Sequence, residues 1–192
     1  MTTDNPIAAL KRDPTLAPVI ETHGEVRLDP AADTFERLVQ SIISQQVSTA
    51  SARAIRQRVF DRFEIAPEAI LAADRDALED AGLSSQKAEY IQNVAVAYTE
   101  RGYSREYFST MTNREVVDEL TEIRGVGTWT AKMFLMFCLG REDVFPVEDL
   151  GIRKGMWRLF DEELSRTEMV ERAEPWRPYR STASLYLWRT VD

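Results

Sequence analysis

The run Leu120-Thr121-Glu122-Ile123-Arg124-Gly125-Val126-Gly127-Thr128-Trp129-Thr130-Ala131-Lys132 carries the reading of this chain. Phe145-Pro146-Val147-Glu148-Asp149, whose last carboxylate stands seventeen residues past Lys132, completes it. Val116, Val117, Leu120 and Ile123 recur at helical spacing, and two glycines then break the pattern. Glycine adopts positive φ without a steric penalty and lets another molecule come close to the backbone. Thr128 is positioned to cap a second helix over 128–139. A glycine turn leading into a helix N-terminus presents free amides and the positive end of a dipole, a setting that favours an anion. Lys132 adds a positive charge one turn further on. Gly125, Val126, Gly127, Thr128 and Lys132 therefore form a candidate phosphate-binding set that reads no base sequence. An ordinary αα-hairpin turned by glycine explains the same pattern without any ligand.

Outside this stretch the periodicity predicts an all-α chain. Phe35, Leu38, Val39, Ile42 and Ile43 are spaced by three and four, with Asp33 as their N-cap. A second helix follows over 48–60 with arginines on its outer face, then short helices over 67–71 and 74–81, the latter stopped by Gly82. The pattern resumes over 87–99, Tyr107 and Met111 belong to a further short segment, and Asn113 caps the helix entering the hairpin. Helices over 150–160 and 181–188 finish the chain. The one candidate strand is Glu25-Val26-Arg27-Leu28. There is no internal repeat, low-complexity stretch or obvious linker.

Composition bounds what this fold can do. The chain has 192 residues, room for one compact body or two small lobes, and 44% of them are hydrophobic, an ordinary globular content. No apolar stretch reaches the length of a membrane span, and residues 1–6 lack the basic start and apolar core of a signal peptide, so a cytoplasmic protein without a membrane partner is expected. Cys138 is the only cysteine, which excludes an intrachain disulfide and a cysteine-ligated iron–sulfur cluster. It stands among Phe134, Leu135, Phe137 and Leu139 and reads as a small buried hydrophobe. His23 is the only histidine, so a multi-histidine metal site is ruled out.

The net charge of −8, taken alone, argues against nucleic acid as a partner, but the distribution of charge matters more than the sum. Acidic residues gather at 74–80, 142–143 and 161–163. Basic ones gather at 53–58, 124–132, 153–154 and 177–189. The 20 arginines against 4 lysines fit an acid-rich, lysine-poor surface suited to a high-salt cytoplasm, and a GC-rich genome would give the same bias.

Residues 123–131 resemble the helix-hairpin-helix of the DNA glycosylase superfamily that also carries a Gly/Pro-rich loop and a catalytic aspartate. Phe145-Pro146-Val147-Glu148-Asp149-Leu150-Gly151-Ile152 is similar to that loop and aspartate. Ser41-Ile42-Ile43-Ser44-Gln45-Gln46-Val47-Ser48 resembles the glutamine-containing helix of the alkylation-repair branch, the 3-methyladenine DNA glycosylase II type. Gly82-Leu83-Ser84-Ser85-Gln86-Lys87-Ala88 and Trp176-Arg177-Pro178-Tyr179-Arg180-Ser181 resemble two more of its segments. The resemblance runs from about Phe35 to Trp188. It implies two helical lobes around a cleft that holds the target base: 34–142 ending in the hairpin, and 1–33 together with 143–192. It implies a monomer acting on double-stranded DNA that contains a damaged base. About 34 residues before Phe35 are too few for the β-rich N-terminal domain of some relatives.

The chemistry implied is cleavage of a C1′–N bond as the sugar develops oxocarbenium character. A nearby carboxylate stabilises that cation and orients or deprotonates water. The resemblance assigns this role to Asp149. Glu148 beside it points another way from the same helix start, and Asp149 can also serve as the N-cap of the helix starting at Leu150. Bifunctional relatives place a nucleophilic lysine where this chain has Trp129, and Lys132 points nearly a turn away. A monofunctional enzyme that leaves an abasic site is therefore expected. The indole of Trp129 suits an electron-poor methylated base by the logic of cation–π attraction, with Met133 and Trp188 as further pocket wall. A core tryptophan is the alternative.

Gln45 and Gln46 are candidates to contact DNA or fill the gap left by a flipped base. Phe63 or Ile65 could wedge the duplex. Arg153, Arg177 and Arg180 either touch phosphates or make surface ion pairs. The resemblance further implies a monovalent cation, sodium or potassium, on the backbone carbonyls of Thr121, Ile123 and Val126, and no other cofactor. Three other readings stay open: a noncatalytic helix-hairpin-helix module, a helical protein-interaction domain, and a glycosylase for uracil, hypoxanthine or oxidised purines.

Overall fold

The structure is a computed structural model that describes residues 5–191. Residues 1–4 and 192, assigned from sequence to the second lobe, lie outside it. The described residues form twelve α-helices and a single 3-10 turn, and no strand. They fall into two compact units: Ala31–Leu139, and the chain up to Pro30 together with the chain from Gly140 onward.

The Ala31–Leu139 unit holds α3 (Thr34–Ser44), α4 (Thr49–Arg62), α5 (Pro67–Ala72), α6 (Arg75–Asp80), α7 (Ser85–Arg101), α8 (Asn113–Thr121) and α9 (Thr128–Phe137). Asp33 caps α3 by accepting from the Glu36 N–H at 2.9 Å, and the three-and-four spacing buries Phe35, Leu38, Val39, Ile42 and Ile43 on one face. That face packs against α4, α7 and α9. Each such side chain contributes roughly 1.5–3 kcal/mol on leaving water. Edge-to-face and tilted rings from Phe35 through Tyr98, Tyr103 and Phe108 to Phe134 continue the core to α9. Cys138 is fully buried, and burial pushes its thiol up to about 12, in keeping with an inert hydrophobe.

The other unit contains α1 (Pro6–Leu10), α2 (Ala17–His23), α10 (Leu150–Phe160), α11 (Arg166–Arg172), the 3-10 turn Glu174–Trp176 and α12 (Arg180–Arg189). Helix α12 packs on α10, α2 and α1. Ile152, Met156, Met169, Trp176, Tyr186 and Leu187 form the centre of its core. The buried indole N–H of Trp176 is satisfied by Asp13 Oδ2 at 3.0 Å.

Several local expectations shift. The cap of α8 is Thr112, not Asn113: its hydroxyl accepts from the Glu115 N–H while the Glu115 carboxylate accepts from the Thr112 N–H, a reciprocal capping box. The N-cap of α9 is Gly127 with Thr128 as its first residue, and the helix ends at Phe137. Tyr107 lies in a run of turns over 105–110. Glu25-Val26-Arg27-Leu28 has no regular secondary structure and forms no strand. Helices α1, α2 and α11 are too short to show a periodic face in sequence.

Candidate nucleic-acid interface and carboxylate site

The hairpin is built by α8, a turn and α9. Its two glycines have different physical roles. Gly125 adopts φ +106°, and a Cβ there would lie 2.1 Å from Cγ of Tyr90, so the turn sits directly on the Tyr90 ring. Gly127 has φ −94°, which any residue can adopt, and a Cβ there would meet nothing within 4 Å. Its lack of a side chain leaves the exposed N-terminus of α9 open to a close approach. Gly127 and Thr128 are exposed, whereas Val126 is buried and anchors the turn.

Helix α7 and the end of α3 brace this turn. Asn93 Nδ2 donates to the Arg124 carbonyl at 3.2 Å, and Arg124 pairs with Glu89 at 2.6 Å. Gln86 Nε2 donates to the Tyr90 hydroxyl at 2.6 Å. Gln45 Nε2 donates both to the Gly125 carbonyl and to the Thr130 hydroxyl, each at 3.0 Å. Gln45 therefore holds the hairpin, a role the sequence does not suggest. The next residue, Gln46, is exposed with φ +55°, a left-handed conformation uncommon for a residue with a Cβ. Lys87 Nζ donates to the Ile43 carbonyl at 2.7 Å, and burial holds its pKa below the usual lysine range. Tyr90, Asn93 and Glu89 escape a sequence reading because their spacing on α7 marks them only as surface.

On α9, Trp129 and Lys132 are half-buried, whereas Met133 is 5% exposed and belongs to the core. Phe63 and Ile65 are half-buried after α4.

The carboxylate lies in the other unit. Val144, Phe145, Pro146 and Val147 are buried and lead into Asp149, the N-cap of α10. Its Oδ2 accepts from the Ile152 N–H at 3.0 Å and from the Trp188 indole N–H at 2.8 Å. Capping and orientation thus fall on one oxygen. Helix α12 fixes the loop at both ends, because Ser181 near its start accepts from the Val144 N–H at 3.0 Å and donates to the Arg141 carbonyl at 2.6 Å, and Trp188 near its end holds Asp149. A Cβ on Gly151 would lie 2.7 Å from Trp188 Cδ1 and 2.9 Å from Asp149 Oδ2, so glycine leaves room for this contact. Neither Gly151 nor Ser181 stands out in the sequence.

Arg153, one turn past Asp149, is half-buried, and its Nε is buried without a hydrogen-bond partner. Arg177 pairs with Asp143 at 2.6 Å and Glu174 at 2.8 Å. Arg180 pairs with the same two acids at 2.6 and 3.0 Å. These two arginines make ion pairs within the fold. Among the described residues no three His, Cys, Asp or Glu side chains gather as a metal-ligand set, and no helix is long and apolar enough to cross a membrane.

Comparison with known proteins agrees with this geometry. DNA-3-methyladenine glycosylase 1 of Schizosaccharomyces pombe is 33% identical over 170 residues, 82% of this chain and 72% of the relative. The chain spans 66%, 72% and 77% of the length of three relatives of this kind. The structure of the S. pombe 3-methyladenine DNA glycosylase in complex with abasic DNA superposes with a TM-score of 0.88 at 28% identity, covering 96% of this chain and 95% of that one. A DNA-3-methyladenine glycosidase from Bacillus halodurans superposes with a TM-score of 0.83 at 34% identity, over 99% of this chain and 91% of that one. Residues 39–178 match the HhH-GPD superfamily of base excision DNA repair proteins. With its hairpin, its Pro-containing loop and its capped aspartate, the chain belongs to the HhH-GPD superfamily of base excision DNA repair proteins.

Proposed function

We propose that this chain is a monofunctional DNA glycosylase that releases an alkylated purine of the 3-methyladenine kind from double-stranded DNA, acting as a monomer and leaving an abasic site. The observation that carries this reading is Asp149, a carboxylate fixed on a rigid helix start by two hydrogen bonds to Oδ2. The carboxylate stabilises positive charge as the C1′–N bond stretches. The bonding pair leaves with the base, the oxygen of a water molecule joins C1′, and its proton passes to Asp149 or to solvent. A ring-methylated purine leaves as a neutral base, so it needs little further activation. Water suffices as co-reactant, and no cofactor is required.

The amides at Gly125, Val126, Gly127 and Thr128, with the charge of Lys132, hold the phosphodiester backbone. Gln46, exposed in its left-handed conformation, enters the duplex beside the extruded base, and Gln45 sets its base of support on the hairpin. Trp129 stacks on the methylated base, with Met133 beneath it in the core and Trp188 positioned against Asp149. Arg153, half-buried one turn past Asp149, serves a phosphate through its guanidinium end. The backbone carbonyls of Thr121, Ile123 and Val126 would hold a sodium or potassium ion. They are hard oxygen donors of the kind that suits it, and the Ile123 carbonyl, which accepts from the Val126 N–H at 2.9 Å, keeps a second lone pair. Such an ion supplies positive charge beside the turn. The setting is a cytoplasm, and the acid-rich, lysine-poor composition points to a salty one.

The test is base release from duplexes carrying 3-methyladenine, 7-methylguanine, hypoxanthine, uracil or 8-oxoguanine. Release of the methylated purines ahead of the others is expected. Tight binding with no release from any duplex would instead make this a noncatalytic module. Preferred release of uracil, hypoxanthine or 8-oxoguanine would move the chain to another substrate class.

A further inference from the structure

Helix α4 is an anomaly in an acidic chain. Among the described residues Val59 is its one buried side chain, so packing dictates little of its sequence. It carries Arg53, Arg56, Arg58 and Arg62 against a single acid, Asp61, while the whole chain has a net charge of −8. Elsewhere in the same unit four arginines pair with acids: Arg75 with Glu79 and Glu89, Arg101 with Glu119 and Glu122, Arg114 with Asp118, and Arg124 with Glu89. Arg37 and Arg105 are instead held within the fold, Arg37 by Ser41 and the Phe137 ring and Arg105 by the Ala31 carbonyl. Among the described residues none of the four α4 arginines has a carboxylate within ion-pair distance. Arg58 is tied to the Ala81 carbonyl at 3.0 Å, and Arg62 lies about half a turn round the helix from Arg53.

Arg53 and Arg56 are different. They are exposed three residues apart and therefore share a helix face. The Arg56 guanidinium reaches the neutral Gln40 amide at 3.5 Å and not an acid. Beside them the helix surface formed by Thr49, Ala50, Arg53, Ala54 and Gln57 is open. The alanines let a bulky chain lie close to the helix, and the arginines set its charge. The helix begins at Thr49, three residues after Gln46, the residue we place in the duplex.

We infer that this face of α4, through Arg53 and Arg56, grips the phosphodiester backbone of duplex DNA flanking the damaged site, a second backbone contact in addition to the hairpin. The inference rests on the proposed function for its choice of DNA as occupant. A phosphate chain matches an arginine pair that has no acid of its own, and neutralised phosphates release counterions. The contact carries no base information and would serve undamaged DNA equally well, which suits a protein that must search long stretches.

The test is fluorescence anisotropy of an unmodified 25-base-pair duplex titrated with protein at several KCl concentrations, comparing wild type, Arg53→Gln/Arg56→Gln, Arg53→Lys/Arg56→Lys and Arg62→Gln. The glutamine pair should lower the magnitude of the log Kobs against log[KCl] slope by about 2, roughly 1 per lost phosphate contact. The lysine pair should keep most of the slope, and Arg62→Gln should leave it unchanged. An unchanged slope and affinity in the glutamine pair, while wild type binds, overturns this contact and leaves the proposed function standing. Failure of the wild type to bind DNA even at low salt overturns both. Equal losses in the glutamine pair and in Arg62→Gln would show a diffuse charge effect and also overturn the assignment.

Discussion

Replacing Trp188 by phenylalanine tests how Asp149 is held. An aromatic ring is kept, smaller than the indole, and the indole N–H that reaches Asp149 Oδ2 at 2.8 Å is removed. The Ile152 N–H at 3.0 Å becomes the remaining donor of the pair. A hydrogen bond to a charged acceptor contributes roughly 1.5–3 kcal/mol. If the carboxylate must be aimed to stabilise the sugar cation, that amount is lost in the transition state, and the rate falls by about 10- to 150-fold, since ~1.4 kcal/mol is tenfold. The assay is single-turnover release of 7-methylguanine, with DNA affinity and urea unfolding measured on the same protein. Gly151→Ala should reach the same end by another route, since its Cβ would press on Trp188 Cδ1 at 2.7 Å and on Asp149 Oδ2 at 2.9 Å. Overpacking of this kind costs about 1–3 kcal/mol in stability. The two changes should not add, because both break one contact. A Trp188→Phe enzyme that releases base within twofold of the wild-type rate would refute the reasoning.

Three further outcomes follow from the same geometry. Gly125→Ala should destabilise the fold by at least about 1–3 kcal/mol from its φ of +106° alone, with the Tyr90 clash in addition, whereas Gly127→Ala should unfold in urea like wild type yet bind DNA more weakly. Equal stability losses in the two would contradict the division of roles. Borohydride added during turnover should trap no protein–DNA adduct, since Trp129 stands where a lysine nucleophile is required; an adduct would show lyase chemistry. Cys138, with its thiol pushed up to about 12 by burial, should resist iodoacetamide at pH 8 in the folded protein. The sign follows from linkage: the unfolded thiol ionises first, so this group begins to cost stability as pH rises above the ordinary thiol range of about 8.5. Rapid alkylation of native protein would contradict its burial.

Much of the fold was legible because its longer helices carry their own boundaries. Asp33 and Asp149 cap α3 and α10 as their positions in the sequence suggest, and Ser48, read as the first residue of its helix, is the cap of α4. Thr112 was hidden by Asn113, an equally good capping residue one position on, and only the reciprocal bonds with Glu115 distinguish them. The hairpin and the aspartate were visible because glycine and a proline-flanked carboxylate are chemically conspicuous. Their supports were not. Gln45 reads as helix surface, but the chain leaves α3 at that residue and turns its amide onto the Gly125 carbonyl, 80 residues away. Tyr90 under Gly125 and Trp188 on Asp149 are likewise contacts between distant segments, which periodicity along one helix cannot encode.

The central claim is that Asp149 performs the chemistry and does not merely cap α10. An asparagine side chain at this position would be nearly as good a cap and could still accept from Trp188 and Ile152, so Asp149→Asn removes the charge with little change in the fold. Single-turnover release of 7-methylguanine by Asp149→Asn, measured beside its affinity for the same duplex, is the most direct test. The account predicts a loss of at least about 10²–10³-fold in rate with affinity retained. Base release at the wild-type rate would contradict it.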